Sequence, residues 1–212
     1  MDVEVKICGI TDDEAMDAAI EAGADYLGLV FFDKSPRALS PERAAELTQF
    51  IEGIGMVGLF VDPDDALLDA VLSQVRLDLL QFHGSESPGR LEQIRLDFAL
   101  PVMKVIPIAN AADLAAAEPY LGIADRLLFD AKPPKDAALP GGNALSFDWS
   151  ILKGYRSPLP WMLAGGLNPA NVAEAITLTG APAVDVSSGV ESAPGVKDAD
   201  KIRAFIAAAK GE

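Results

Sequence analysis

Near its start the chain reads Val5-Lys6-Ile7-Cys8-Gly9, and Cys8 is the only cysteine in 212 residues. Lys6 and Cys8 stand two residues apart, so on a regular strand their side chains share one face while Val5 and Ile7 take the other. A thiol of ordinary pKa, about 8.5, is mostly protonated at neutral pH, and a neighbouring ammonium favours the thiolate, the form that accepts a proton. The other reading is an inert core thiol beside a lysine that is paired with an acid, and strand position alone does not separate the two.

A second candidate for proton chemistry is Asp130, which ends Leu127-Leu128-Phe129-Asp130 directly before a long loop. A carboxyl group in a partly apolar mouth can stay protonated and donate at neutral pH, whereas an aspartate at a strand end can also only brace the following turn. Gln81 and His83 alternate onto one face of another strand, and His83 is the only histidine. It reads most simply as a hydrogen-bonded strand-end residue, with ligand contact as the alternative.

Two strand ends carry glycine. Gly165 and Gly166 precede Leu167-Asn168-Pro169-Ala170-Asn171-Val172, and Ser187, Ser188 and Gly189 follow the last apparent strand. Glycine lets backbone N–H groups approach a phosphate and serine adds a hydroxyl donor; tight turns alone would also use these residues. Arg37, behind the stiff Pro36, could fork onto a ligand carboxylate or simply be solvated.

These residues need elements that bring them together. Short β-type runs at 3–7, 24–32, 55–62, 77–84, 101–108, 124–130, 160–166 and 181–189 alternate with helical patterns. Ala15, Ala18, Ala19 and Ala22 recur at helical spacing with Gly23 as the stop, and Ser40 with Pro41 reads as an N-cap and first turn. Eight strand–helix units in one chain of this length predict a single-domain (β/α)8 TIM barrel over residues 1–212, with a doubly wound open sheet as the alternative. In a barrel, polar residues at the carboxyl ends of different strands meet at one mouth. The stretch 131–145, rich in proline and glycine, is expected as a loop over that mouth rather than a domain linker.

Half the residues are hydrophobic, and no apolar run approaches the roughly 20 residues that cross a bilayer. The net charge of −15 argues against a nucleic-acid or membrane partner, yet leaves room for a small phosphorylated ligand held by a few backbone amides. One cysteine permits no internal disulfide, and no basic, apolar and cleavage-site succession opens the chain, so a reducing cytoplasm is expected. Neither clustered His and Cys ligands nor a dinucleotide fingerprint is visible, and no cofactor or metal is expected.

Taken in order, VKICGIT, ADYLGLVFF with KSPR, VGLFVD, LLQFHG, LLFDAK, PGG with FDW, LAGGLNPANV and VDVSSGVE resemble the phosphoribosylanthranilate isomerase family over nearly the whole chain. The resemblance implies an Amadori rearrangement in tryptophan biosynthesis, with Cys8 as general base and Asp130 as general acid. It also implies Arg37 on the anthranilate carboxylate, and Gly165, Gly166, Ser187, Ser188 and Gly189 around the phosphate. Lys6, Gln81, His83 and Asp185 are expected in support, in a monomer or homodimer. Where many relatives carry GGTG before FDW, this chain has Gly141-Gly142-Asn143-Ala144. Other phosphate-sugar barrels, such as indoleglycerol-phosphate synthase or a ribulose-phosphate epimerase, could share the last two loops, as could a catalytically silent barrel. The cysteine of the first strand and the arginine after the second separate the isomerase from the other enzymes, and equilibrium binding without turnover would favour the silent barrel.

Overall fold

The computed structural model describes residues 3–134, 139–142 and 145–211. Eight parallel strands close into a barrel in chain order: β1 (Glu4–Cys8), β2 (Tyr26–Phe31), β3 (Gly55–Phe60), β4 (Leu79–Phe82), β5 (Val102–Ile108), β6 (Arg126–Ala131), β7 (Trp161–Leu163) and β8 (Ala183–Val186). The seam between β1 and β8 pairs Lys6 with Asp185 and Ile7 with Val186.

The alternation read from the sequence sorts the side chains into two layers. Val5 and Ile7 pack outward under the helices, while Val57, Leu79, Met103, Leu128 and Met162 fill the barrel interior. Fully buried Phe60, Phe82 and Phe129 each contribute about 1.5–3 kcal/mol of burial to that frame.

Among the described residues six α-helices surround the strands: α1 (Asp13–Glu21), α2 (Pro41–Thr48), α3 (Asp65–Leu72), α4 (Pro88–Phe98), α5 (Val172–Thr179) and α6 (Ala199–Lys210). Their starts follow local chemistry. Ser40 Oγ accepts from the Arg43 amide with Pro41 in the first turn, and Ala15, Ala18 and Ala19 are the buried stripe of α1. Two of the expected helices are instead 3₁₀ segments, Ala111–Tyr120 and Trp149–Leu152. The first buries only Ala117 and contains Pro119, which lacks the N–H an α-turn needs, so neither packing nor hydrogen bonding favours the wider helix.

One element has no counterpart in the sequence reading. Between β8 and α6 a short antiparallel hairpin, β9 (Glu191–Ala193) and β10 (Val196–Lys197), turns at Pro194-Gly195, with Gly195 at φ 81°. Strands of two and three residues are too short to show alternation, and the Pro-Gly pair is the one local signal.

Candidate active site

A cavity opens at the carboxyl ends of the strands, and Cys8, Arg37, Asp130, Gly165 and Ser188 all line it. Cys8 ends β1 with 4% of its surface exposed. It faces Gly28 of β2, where a Cβ would stand 2.9 Å from the thiol sulfur and 3.1 Å from Lys6 Nζ. A glycine inside a strand costs stability, and here it makes the room in which thiol and ammonium lie together. Sequence reading passed over Gly28; the signal available was a lone glycine within an otherwise apolar run.

Lys6 is completely buried, and its ammonium donates to Asp185 Oδ1 at 2.7 Å. Burial works to lower the Lys6 pKa, but the Asp185 carboxylate and Cys8 outweigh it, and the group stays charged with its pKa above the ordinary value. For Cys8 the balance falls the other way. Burial pushes the thiol pKa up; Lys6 and Lys197 pull it down, and Asp185 adds to the upward push. The resting group is therefore a thiol, and the expectation that Lys6 beside it holds a thiolate is met only in the direction of the Lys6 contribution.

Asp130 sits at the end of β6, three strands around the barrel from Cys8. Its Oδ1 accepts from the Ala131 amide at 2.8 Å, and its Oδ2 lies 3.3 Å from His83 Nε2. That approach is within ion-pair distance but outside hydrogen-bond geometry. His83 Nε2 and Gln81 Oε1 are, with Trp149 Nε1, the buried side-chain polar atoms without a hydrogen-bond partner among the described residues. The first two belong to residues lining the cavity, where unsatisfied polar atoms offer contacts to a ligand. Above them, a Cβ at Gly141 would stand 2.8 Å from Asp130 Oδ2 and 2.9 Å from His83 Nε2, so only glycine lets the loop lie this close. Asn143 and Ala144, where the chain departs from the motif, are outside the described residues.

Arg37 is 5% exposed and thus not a solvated arginine. Its Nε donates to Glu191 Oε1 at 2.6 Å and its Nη2 to Glu191 Oε2 at 2.9 Å, a bidentate grip that aims the rest of the guanidinium at the cavity. Nη2 also reaches the Gly142 carbonyl at 3.3 Å. Glu191 accepts in turn from Lys197 Nζ at 2.9 Å. Burial opposes its ionisation, but two cations outweigh burial and hold its carboxyl below the usual range. Lys197 faces one anion and the repulsion of Arg37, so burial prevails there and lowers its pKa. Neither Glu191 nor Lys197 was a sequence candidate.

On the far side, Gly165 and Gly166 adopt φ of 86° and 70°, the left-handed region where other side chains are strained. A Cβ on Gly165 would come within 2.8 Å of the Ala131 amide and 3.3 Å of Asp130 Oδ1. Asn171 holds the turn by donating to the Gly166 carbonyl at 3.0 Å and accepting from the Asn168 amide at 2.8 Å. Gly189 packs its α-carbon against the Leu167 carbonyl so tightly that no side chain fits. The loops after β7 and β8 thus form one cradle of small residues with Ser187 and Ser188 on its rim. Among the described residues no three of His, Cys, Asp and Glu converge as a metal site.

Comparison with known proteins shows what the chain is similar to. Residues 5–208 match the family model described as N-(5'phosphoribosyl)anthranilate (PRA) isomerase. The N-(5'-phosphoribosyl)anthranilate isomerase of Paramagnetospirillum magneticum is 72% identical over 212 residues, covering 100% of this chain and 99% of the relative. The crystal structure of phosphoribosyl anthranilate isomerase from Thermotoga maritima superposes with a TM-score of 0.88 at 39% identity, over 99% of this chain and 100% of that one. A further isomerase structure, solved in complex with reduced 1-(o-carboxyphenylamino)-1-deoxyribulose 5-phosphate, gives 0.85 at 37% identity, over 99% and 100%.

Proposed function

This chain belongs to the N-(5'-phosphoribosyl)anthranilate isomerase family, and from that premise we infer how its barrel mouth carries the reaction. The enzyme converts N-(5-phosphoribosyl)anthranilate to 1-(2-carboxyphenylamino)-1-deoxyribulose 5-phosphate, the Amadori rearrangement of tryptophan biosynthesis. The assignment of residues is our reading. One observation carries it: Cys8 and Asp130 open into a single cavity from strands three apart, with a clamped arginine at one end and a glycine–serine cradle at the other.

Asp130, as general acid, delivers a proton to the furanose ring oxygen as the bond from that oxygen to C1 breaks, leaving a protonated Schiff base. The Cys8 thiolate then takes the C2 proton, and the electron pair of that C–H bond neutralises the iminium to give an enolamine. Tautomerisation, with C1 gaining a proton as the C2 hydroxyl loses one, yields the ketone. Protons given and taken cancel, as an isomerisation requires. Each positioned proton transfer contributes about 10²–10⁴-fold. Because burial keeps Cys8 a thiol at rest, the active thiolate is its minor form and kcat/KM rises with pH through the thiol's ionisation.

Arg37 takes the anthranilate carboxylate, beside an apolar wall of Val30, Phe32, Leu59 and Val61 that suits an aromatic ring. The phosphate goes to the cradle of Gly165, Gly166, Ser187, Ser188 and Gly189. Gln81 and His83 offer their unpartnered atoms to the ribose between. A sugar phosphate that also carries a carboxylate does not cross membranes unaided, which supports a cytoplasmic enzyme, working as a monomer or homodimer. The test is turnover of freshly generated phosphoribosylanthranilate, followed as loss of anthranilate-type fluorescence. Steady conversion is expected; a folded protein that binds but does not convert the substrate overturns the reading.

A further inference from the structure

The β9–β10 hairpin touches both ends of the site without lining the reacting centre. At its tip, a Cβ on Gly195 would meet the Pro36 carbonyl at 2.5 Å, so the hairpin abuts the segment that carries Arg37. At its first strand, Glu191 holds Arg37 in two hydrogen bonds. At its second, Lys197, with its side chain wholly enclosed, donates to the Ser187 carbonyl at 2.9 Å, to Ser187 Oγ at 3.3 Å and to Glu191 Oε1 at 2.9 Å. The Gly195 amide closes the ring by donating to Glu191 Oε2 at 3.2 Å.

We propose that Lys197 is a positioning residue that couples the two anion-binding ends of the site, fixing the phosphate loop through Ser187 and the carboxylate-reading Arg37 through Glu191. The proposal rests on the reading of Arg37 and the cradle given above.

The physical argument concerns register. A substrate held at a carboxylate and at a phosphate reacts only if both anchors keep one separation, because a misplacement near 1 Å is enough to cost about a hundredfold in rate. The two anchors come from opposite ends of the chain, after β2 and after β8. Lys197 has three donor positions and uses them on three acceptors belonging to both anchors, so neither can shift without loss at the other. Charge follows the same division. Glu191 lies between Arg37 and Lys197 and bonds to both, so one carboxylate serves both anchors.

The experiment measures binding of three ligands to parent, Lys197→Met, Arg37→Ala and the double variant. They are inorganic phosphate, the reduced product analogue, and that analogue without its ring carboxylate. In the parent the carboxylate improves affinity roughly ten- to a hundredfold, as a charge-assisted contact does. Lys197→Met, which touches neither anion, is expected to weaken inorganic phosphate and to shrink the carboxylate advantage to within about threefold. In the Arg37→Ala background it should leave the ratio of the two analogues where it stands.

A carboxylate advantage that Arg37→Ala leaves intact overturns the reading of Arg37 and the coupling with it. An advantage that depends on Arg37 but survives Lys197→Met in a folded protein overturns the coupling alone, leaving Lys197 a local prop of the β8 loop. Should Lys197→Met not fold, Glu191→Gln, which keeps the shape and removes the shared anion, is read by the same ratio.

Discussion

Lys6 and Asp185 face each other in register across the seam that closes the barrel, with Nζ 2.7 Å from Oδ1. Both are buried, so removing one partner leaves an uncompensated charge at a cost of about 3–5 kcal/mol. Burial is the main reason Cys8 is a thiol at rest, and within the pair Lys6 favours the thiolate while Asp185 opposes it. Replacing Lys6 by methionine removes a charge that lowers the Cys8 pKa and frees the carboxylate that raises it. The midpoint of Cys8 alkylation against pH, and the acidic limb of kcat/KM, should both move to higher pH. A folded Lys6→Met protein with an unmoved alkylation curve would confine Lys6 to bracing the interior.

Cys8→Ser and Asp130→Asn should each lower kcat by about 10²–10⁴-fold, since each removes one proton transfer. Affinity for inorganic phosphate should change only a few-fold, because the cradle after β7 and β8 is built without either side chain. Near-normal turnover in either variant would remove that residue from its assigned role.

For Arg37→Ala the expected effect is mainly on KM, about ten- to a hundredfold, and smaller for a ligand without the aromatic carboxylate. Arg37→Lys should recover little of it, since an ammonium cannot hold Glu191 in two parallel hydrogen bonds and still present a fork to the ligand. Rescue by lysine would show that charge, not the clamped geometry, is what matters.

Gly28→Ala tests how closely the thiol is packed. The added methyl would stand 3.0 Å from the Cys8 α-carbon, a backbone atom that cannot swing aside, as well as 2.9 Å from the sulfur. Overpacking of this kind costs about 1–3 kcal/mol of stability. With the protein still folded, kcat should fall by far more than inorganic phosphate affinity; equal, small effects on both would mean the thiol is free to move.

Glu191 sets an acid limit. Its carboxyl is held below the ordinary value of 4.5, so the stabilisation it provides is fully present above that pH and disappears as pH falls through the folded-state value. The stability difference between the parent and Glu191→Gln, measured by urea unfolding, should therefore hold above the ordinary value of 4.5 and shrink as the pH is lowered below it. A difference that stays constant as the pH falls below that value would show that hydrogen bonding rather than charge holds the cluster.

Sequence alone determined the features that depend on neighbours along the chain. The strand–helix alternation, Lys6 and Cys8 on one inward face, Asp130 at the end of its strand, the Ser40 cap and the glycine pair at 165–166 all follow from spacing rules that act over a few residues. These are sufficient for the barrel and for the family resemblance, because closing eight such units brings their carboxyl ends to one mouth. What each candidate touches was decided only by the tertiary structure. The partner of Arg37 lies 154 residues away and that of Lys6 lies 179 away. A buried charge takes whichever opposite charge barrel closure brings within reach, and no local pattern encodes that choice. Gly28 likewise matters only because β2 pairs with β1 in the register that sets it opposite Cys8. The hairpin that joins Arg37 to Ser187 was invisible because its strands are too short to have a period, and what ties it to Arg37 is Glu191, 154 residues further along the chain.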